Sequence, residues 1–212
     1  YAGGHKKINK VFVMKLANNN NSVIGEKIKI ECDLLCVSGG YTPTVHLFTQ
    51  SGGKLSFDEK KLFFYPEKTS LNQISVGSCA GIFNLKNIIE DTNLRINMFL
   101  GTNVKNETIV SDFKSGDFEN IWLLPSDKIT GKTKSFVDFQ NDSTANDIKL
   151  ALREGFKSIE HVKRYTTTGM ATDQGKIANM NALGIISEIT KTKMGELGTT
   201  TFRPPYTPLT FG

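Results

Sequence analysis

The chain has few of the residues that staple a small fold together. Its three cysteines, Cys32, Cys36 and Cys79, cannot all pair. Cys32 and Cys36 lie four apart on an expected strand, about 13 Å from one another at the usual rise, which is beyond disulfide reach. Reduced thiols are expected. The three histidines, His5, His46 and His161, share no metal-ligand spacing with one another or with cysteine, so no structural metal is expected. No apolar run approaches the roughly 18 to 20 residues of a membrane span. The N-terminus lacks the regions of a signal peptide, and a cytoplasmic chain without a membrane partner is expected. The formal charge of +5 is diffuse. Without basic blocks or aromatic-basic interleaving, a nucleic-acid partner is not expected. Catalytic triads, paired carboxylates and a complete GxGxxG fingerprint are missing as well.

What remains is an ordinary folded composition, 38% hydrophobic with 19 Gly and 6 Pro among 212 residues, suited to one or two folded units. Val11 to Leu16 and Lys27 to Glu31 alternate apolar and charged residues, and Asn18 to Asn21 between them suit left-handed turn positions. This reads as a hairpin. Asp33 to Ser38 is a short, nearly continuous apolar run ending in Gly39-Gly40, the pattern of a strand buried on both faces that then admits a ligand or another backbone. Pro43 opens a brief helix closed by Ser51-Gly52-Gly53. Strands are expected at Leu62 to Tyr65 and Ile74 to Val76. The second runs through Gly77-Ser78-Cys79-Ala80-Gly81 into a helical pattern carrying Leu85, Ile88 and Ile89, an order that can bring backbone amides to a phosphate.

Periodicity fades from about Thr102 to Thr133 around Trp122, read as a packing anchor, and Pro125. A domain boundary is expected there. Beyond it, Thr144 and Asp147 form a capping-box-like start for a helix with Ile148, Ala151, Leu152, Phe156 and Ile159, and Gly155 marks a break. A short second helix covers Ile159 to Tyr165. A third is expected from Asp173, with Ile177, Ala182, Leu183, Ile186 and Ile189 on one stripe and its end near Lys191 to Lys193. The last stretch, with Pro204, Pro205 and Pro208, cannot be helix and reads as an extended strap. An opening residue other than Met and this closing strap suggest a piece of a longer polypeptide.

The stretch HVKRYTTTGMATDQGK, His161 to Lys176, is the most chemically pointed. Cations at a helix end, three hydroxyls and a glycine-loosened loop opening a new helix suit an anionic group such as a flavin or nucleotide phosphate. A solvated helix-turn-helix corner is the competing reading.

Four blocks in order, Cys32 to Leu55, Lys134 to Ile148, Arg153 to Lys176 and Gly198 to Pro208, resemble the alpha subunit of heterotetrameric sarcosine oxidase. The resemblance implies an α/β chain plus a small α-helical domain. Residues 1–110 would form part of a pyridine-nucleotide-disulfide-oxidoreductase-like (dinucleotide-binding) fold, and 111–133 a linker. Residues 134–197 would form a three-helix domain at a flavin and subunit interface, and 198–212 an extended Pro-rich strap toward a folate-binding domain. It further implies oxidative demethylation of sarcosine to glycine with hydrogen peroxide, the one-carbon unit passing to tetrahydrofolate. NAD would lie on this chain and FMN at its interface with a beta flavoprotein subunit that carries FAD, smaller subunits completing the heterotetramer. The implied NAD contacts are Ser38, Gly39, Gly40, Gly77, Ser78, Cys79 and Gly81. The implied flavin-phosphate contacts are Lys163, Thr166, Thr167, Gln174, Gly175 and Arg203. No catalytic residue is expected on this segment. Gly77-Ser78 stands where the wider fold places a Gly-Asp pair for FAD, which favours NAD there. Asp173 and Ala178 stand where related dehydrogenases carry cluster cysteines, so an iron-sulfur cluster is not expected. A related amino-acid or dimethylglycine dehydrogenase subunit, or a cofactor-free assembly scaffold, are the alternative readings. The first half is expected to fold only marginally alone, because Leu34, Leu35 and Val37 would lack cover.

Overall fold

The computed structural model describes residues 2–20, 22–104, 121–125, 134–204, 207 and 210–211. They divide into two units, one within Tyr1–Tyr41 and Asn120–Lys134, the other within Thr42–Glu119 and Ser135–Gly212. Most of the expected linker 111–133 lies outside the described residues. Trp122, expected to anchor packing, is half-buried.

The first unit is an antiparallel meander of β1 (Ala2–Gly4), β2 (Ile8–Leu16) and β3 (Val23–Glu31). The expected hairpin is β2–β3, and Asn20 supplies the left-handed turn residue at φ 56°. The register sets Val11 against Ile30 and Val13 against Ile28 on one face, with Phe12 against Lys29 on the other. Lys10 and Lys27 each place their ammonium 6.0 Å from the Phe12 ring centroid, within cation–π range. The expected strand at Asp33 to Ser38 does not form: Leu34 is 71% and Val37 83% exposed. A doubly buried strand needs a neighbour on its edges and a layer on each face. Among the described residues this sheet stops at β3.

The second unit begins with α1 (His46–Gln50) and the hairpin of β4 (Lys54–Asp58) and β5 (Phe63–Lys68). Phe63 and Phe64 are buried, so the expected strand at Leu62 to Tyr65 falls on β5. Ile74 to Val76 joins no strand among the described residues, a correction to the expected order. Its entry is fixed instead by side chains: Ser51 Oγ donates to Gln73 Oε1 at 2.9 Å, and Gln73 Nε2 donates to Thr69 Oγ1 at 2.9 Å. The small-residue segment after it is a 3-10 turn, Gly77–Ala80, and α2 (Leu85–Leu100) starts only after Asn84, whose side chain accepts the amide of Asn87.

The rest of the unit carries the best-packed core. A short ladder, β6 (Phe136–Asp138) with β7 (Ser143–Thr144), leads into α3 (Ala145–Arg153), followed by α4 (Ile159–Thr166), α5 (Ala178–Thr190) and α6 (Met194–Leu197). Thr144 and Asp147 form a full capping box, as their spacing predicts. α3 packs on both α4 and α5, and Ile148, Ala151, Val162, Leu183, Ile185 and Ile186 are buried between them. α5 starts at Ala178 rather than Asp173, because Gln174 and Gly175 take φ of 50° and 75°, which a right-handed helix excludes.

Candidate functional site

The loop between α4 and α5 is tied down from within. Thr166 Oγ1 bonds to Val162 O and Thr168 Oγ1, each at 2.8 Å. Buried Asp138 accepts the Gly169 amide through Oδ2 at 2.7 Å and the amides of Gln140 and Asn141 through Oδ1. Gln140 Oε1 accepts the Asp173 amide, and Asn141 Nδ2 donates to Thr167 O. Asp173 then caps the approach to α5, Oδ1 accepting the Gly175 amide at 3.0 Å and Oδ2 that of Ile177 at 3.4 Å. The amides of Thr168, Gly169, Met170 and of Asp173 through Ile177 are therefore bonded within the chain. An anion here is met chiefly by side chains.

The strap is tied to both helices and to the loop. Thr200 Oγ1 accepts from Asn179 Nδ2 at 2.7 Å, the Thr201 amide donates to Glu160 Oε1 at 2.6 Å, and the Arg203 amide donates to Gln174 Oε1 at 3.1 Å. Residues 200–203 thus run from α5 across α4 to the loop. Lys163 lies one turn beyond Glu160, so it shares the α4 face that the strap crosses. Lys163 is half-buried, and Thr167 and Arg203 are exposed. Neither cation takes part in an ion pair among the described residues. Of the six expected phosphate contacts, Lys163, Thr167 and Arg203 remain open to a ligand. Thr166, Gln174 and Gly175 hold the loop in shape.

The expected nucleotide residues fall in different units. Ser38, Gly39 and Gly40 belong to the first unit and are exposed. Gly77 to Gly81 belong to the second, where the amides of Gly81 and Ile82 bond back to Ser78 O and Gly77 O. A Cβ on Gly81 would stand 2.6 Å from the Phe63 ring, so packing alone requires that glycine. Beside this turn lies a cleft of about 250 Å³ walled by Phe48, Tyr65, Gln73, Ser75, Ala80 and Arg95. It offers aromatic surface and a guanidinium held to Asp91 at 2.7 Å. A second cavity, about 30 Å³, lies under Phe202, whose ring centroid is 3.7 Å from that of His46. That space admits no more than a water molecule or two. Burial, with Lys176 adding to it, pushes the His46 pKa down to about 4.

Asp138, Gln140, Glu160, Asn179 and Thr200 are the residues that sequence reasoning missed. They act through partners 21 to 41 positions away, and a chain read in order carries no signal for such pairs.

The architecture is mixed α/β. A solved L-proline dehydrogenase from P. horikoshii shares the fold with a TM-score of 0.64 at 17% identity, over 100% of this chain and 43% of that one. Residues 132–212 match the Sarcosine oxidase A3 domain. The chain is 35% identical over 214 residues to the sarcosine oxidase subunit alpha of Corynebacterium sp. (strain P-1), covering 97% of this chain and 22% of that one. For the same subunit of Rhizobium meliloti (strain 1021) the identity is 37%, over 89% of this chain and 19% of that one. The chain is thus homologous to a segment of sarcosine oxidase alpha subunits and spans about a fifth of their length.

Proposed function

We propose that this chain is part of a flavin-dependent oxidoreductase of the sarcosine oxidase type, supplying cofactor-interface elements rather than the substrate site. The observation that carries the reading is its similarity, along nearly its whole length, to sarcosine oxidase alpha subunits. The overall reaction is oxidation of sarcosine to glycine with hydrogen peroxide and transfer of the one-carbon unit to tetrahydrofolate, on a complex that includes a beta flavoprotein subunit with FAD and smaller subunits. FMN lies at the interface, its phosphate met by Lys163, Thr167 and Arg203. This fits a loop several of whose amides already serve Asp138, Asp173 and Gln140, while Lys163 and Arg203 make no ion pair among the described residues and Thr167 is exposed. FMN would supply the electron-carrying chemistry. This chain's residues bind and orient its phosphate. NAD lies along the Gly77 to Gly81 side, where the cleft walled by Tyr65 and Arg95 offers stacking surface and positive charge. Asp173, its carboxylate bonded to two amides, suits an electron path without an iron-sulfur cluster, which would need thiolates there.

The experiment is a cofactor inventory of the full-length polypeptide with its co-purifying subunits, by mass spectrometry of a denatured extract and iron analysis. NAD, FMN and FAD without iron, together with peroxide release on sarcosine, are the expected outcome. Stoichiometric iron would move the chain to the dehydrogenases, and an extract with no cofactor would leave it an assembly scaffold.

A further inference from the structure

The three open contacts sit on separate elements, α4, the loop and the strap, and something must hold them in register. Asn179, in the first turn of α5, occupies the point where the loop and the strap meet, and it is only 7% exposed. A Cβ added to Gly169 would fall 2.3 Å from Asn179 Oδ1, and one added to Gly175 only 2.0 Å from it. The side chain therefore fills the hollow that both glycines leave. On its other side Nδ2 donates to Thr200 Oγ1 at 2.7 Å, and at longer range, 3.4 Å, to Gln174 O.

We infer that Asn179 is the positioning residue that brings Arg203 to the phosphate-binding loop. Its amide fixes where Thr200 lies over α5, and three residues later the Arg203 amide docks on Gln174 Oε1. Gln174 in turn holds a left-handed φ of 50°, adjoining the glycine that Asn179 covers. Strap and loop are thereby referenced to one side chain. The geometry needs an amide at this position, with Oδ1 seated over the glycines and Nδ2 toward the strap. An Asp isostere keeps the first function and turns the second from donor to acceptor. Leu would fill the space and make neither contact. The inference rests on the flavin-phosphate reading, and its test is chosen so that the two can fail separately.

The test compares FMN with riboflavin on the deflavinated full-length complex, for wild type, Asn179→Leu and Thr200→Val. Both variants remove the same hydrogen bond, one from each end, and Thr200→Val leaves the loop side untouched should Asn179→Leu fold poorly. Asp is unsuitable, because the Thr200 hydroxyl could donate to its carboxylate. Wild type is expected to prefer FMN over riboflavin, and each variant to lose at least tenfold of that preference while retaining its affinity for riboflavin. Arg203→Gln should produce the same loss, and Arg203→Gln combined with Thr200→Val no more than either alone. A merely structural role would lower thermal stability and leave the FMN-to-riboflavin ratio unchanged, and that result would overturn the assignment. Absence of any preference in the wild type overturns the flavin-phosphate reading instead. In that case hydrogen exchange of the 199–203 amides decides the Asn179 role: faster exchange in Thr200→Val retains it as the strap anchor, and unchanged exchange removes it.

Discussion

Helices α5 and α2 have comparable apolar content and opposite fates. α5 is 13 residues long and buries Ala178, Asn179, Ala182, Leu183, Gly184, Ile185 and Ile186. α2 is 16 residues long, carries Leu85, Leu94, Ile96, Met98, Phe99 and Leu100 as exposed side chains, and buries none of its residues. Periodicity tells which residues share a face. It does not tell what covers that face, and coverage is where the hydrophobic free energy comes from. α5 has α3 across from it, whereas α2 makes its principal contact with a four-residue turn.

The sharpest way to break this comparison is to truncate the same residue type on both helices. Ile186 is fully buried, so Ile186→Ala removes packed atoms and leaves a void, at a cost of about 2 to 5 kcal/mol. Ile96 is 40% exposed, and Ile96→Ala should stay within about 0.5 kcal/mol beyond the small propensity change. Chemical denaturation of both variants measures this. Equal losses would mean that α2 is as covered as α5.

Next comes Gly175→Ala. Its φ of 75° and the Asn179 amide 2.0 Å from the new Cβ combine left-handed strain of roughly 1 to 2 kcal/mol with overpacking of roughly 1 to 3 kcal/mol. The same substitution in an Asn179→Ala background should retain only the strain. A cycle with no coupling between the two positions would show that Asn179 does not occupy the space above the glycine.

Much of the local structure was legible in the sequence, and the reason lies in its range. The hairpin β2–β3, the Thr144–Asp147 capping box, the break at Gly155 and the end of α5 at Lys191 are each decided by neighbours within a few residues. The errors occur where a distant partner decides. Leu34 to Val37 reads as a buried strand only if other strands flank it, and Ile74 to Val76 is steered by Gln73 bonding to Ser51, 22 positions away. At the site, the cations Lys163 and Arg203 were visible as charges. That the Gly169 amide was already taken was not, because Asp138 reaches it across 31 residues.

Cover also sets a titration outside the two helices, at His46 of α1. His46 is buried against Phe202, and its pKa is held near 4 by burial and by Lys176, below the unfolded value of about 6.5. A depressed histidine leaves stability intact above the unfolded pKa. As pH falls from 6.5 toward 4 the unfolded chain binds the proton first, and stability drops by roughly 2 to 3 kcal/mol. Denaturation midpoints between pH 7 and pH 4 should show this component, and His46→Phe should remove it while keeping the ring contact. An unaltered pH dependence in that variant would assign the loss to carboxylates elsewhere.

The smallest effect separates local from global stability. α3 starts on the Thr144–Asp147 box and α2 on the single cap Asn84. Each cap relieves amides that the first turn leaves unpaired, and its loss costs about 1 kcal/mol. For Thr144→Ala the whole cost should appear in global unfolding, because Ile148 and Ala151 of the same helix lie in the core and α3 cannot fray without opening it. For Asn84→Ala the cost should stay local: α2 buries no residue, so its first turn can open while the rest of the unit remains folded. Hydrogen exchange distinguishes the two. Amides at the start of α2 should exchange several-fold faster in Asn84→Ala at an unchanged denaturation midpoint, whereas Thr144→Ala should lower the midpoint itself. A shifted midpoint in Asn84→Ala would couple α2 to the core, leaving the two helices with the same energetic standing despite their unequal burial.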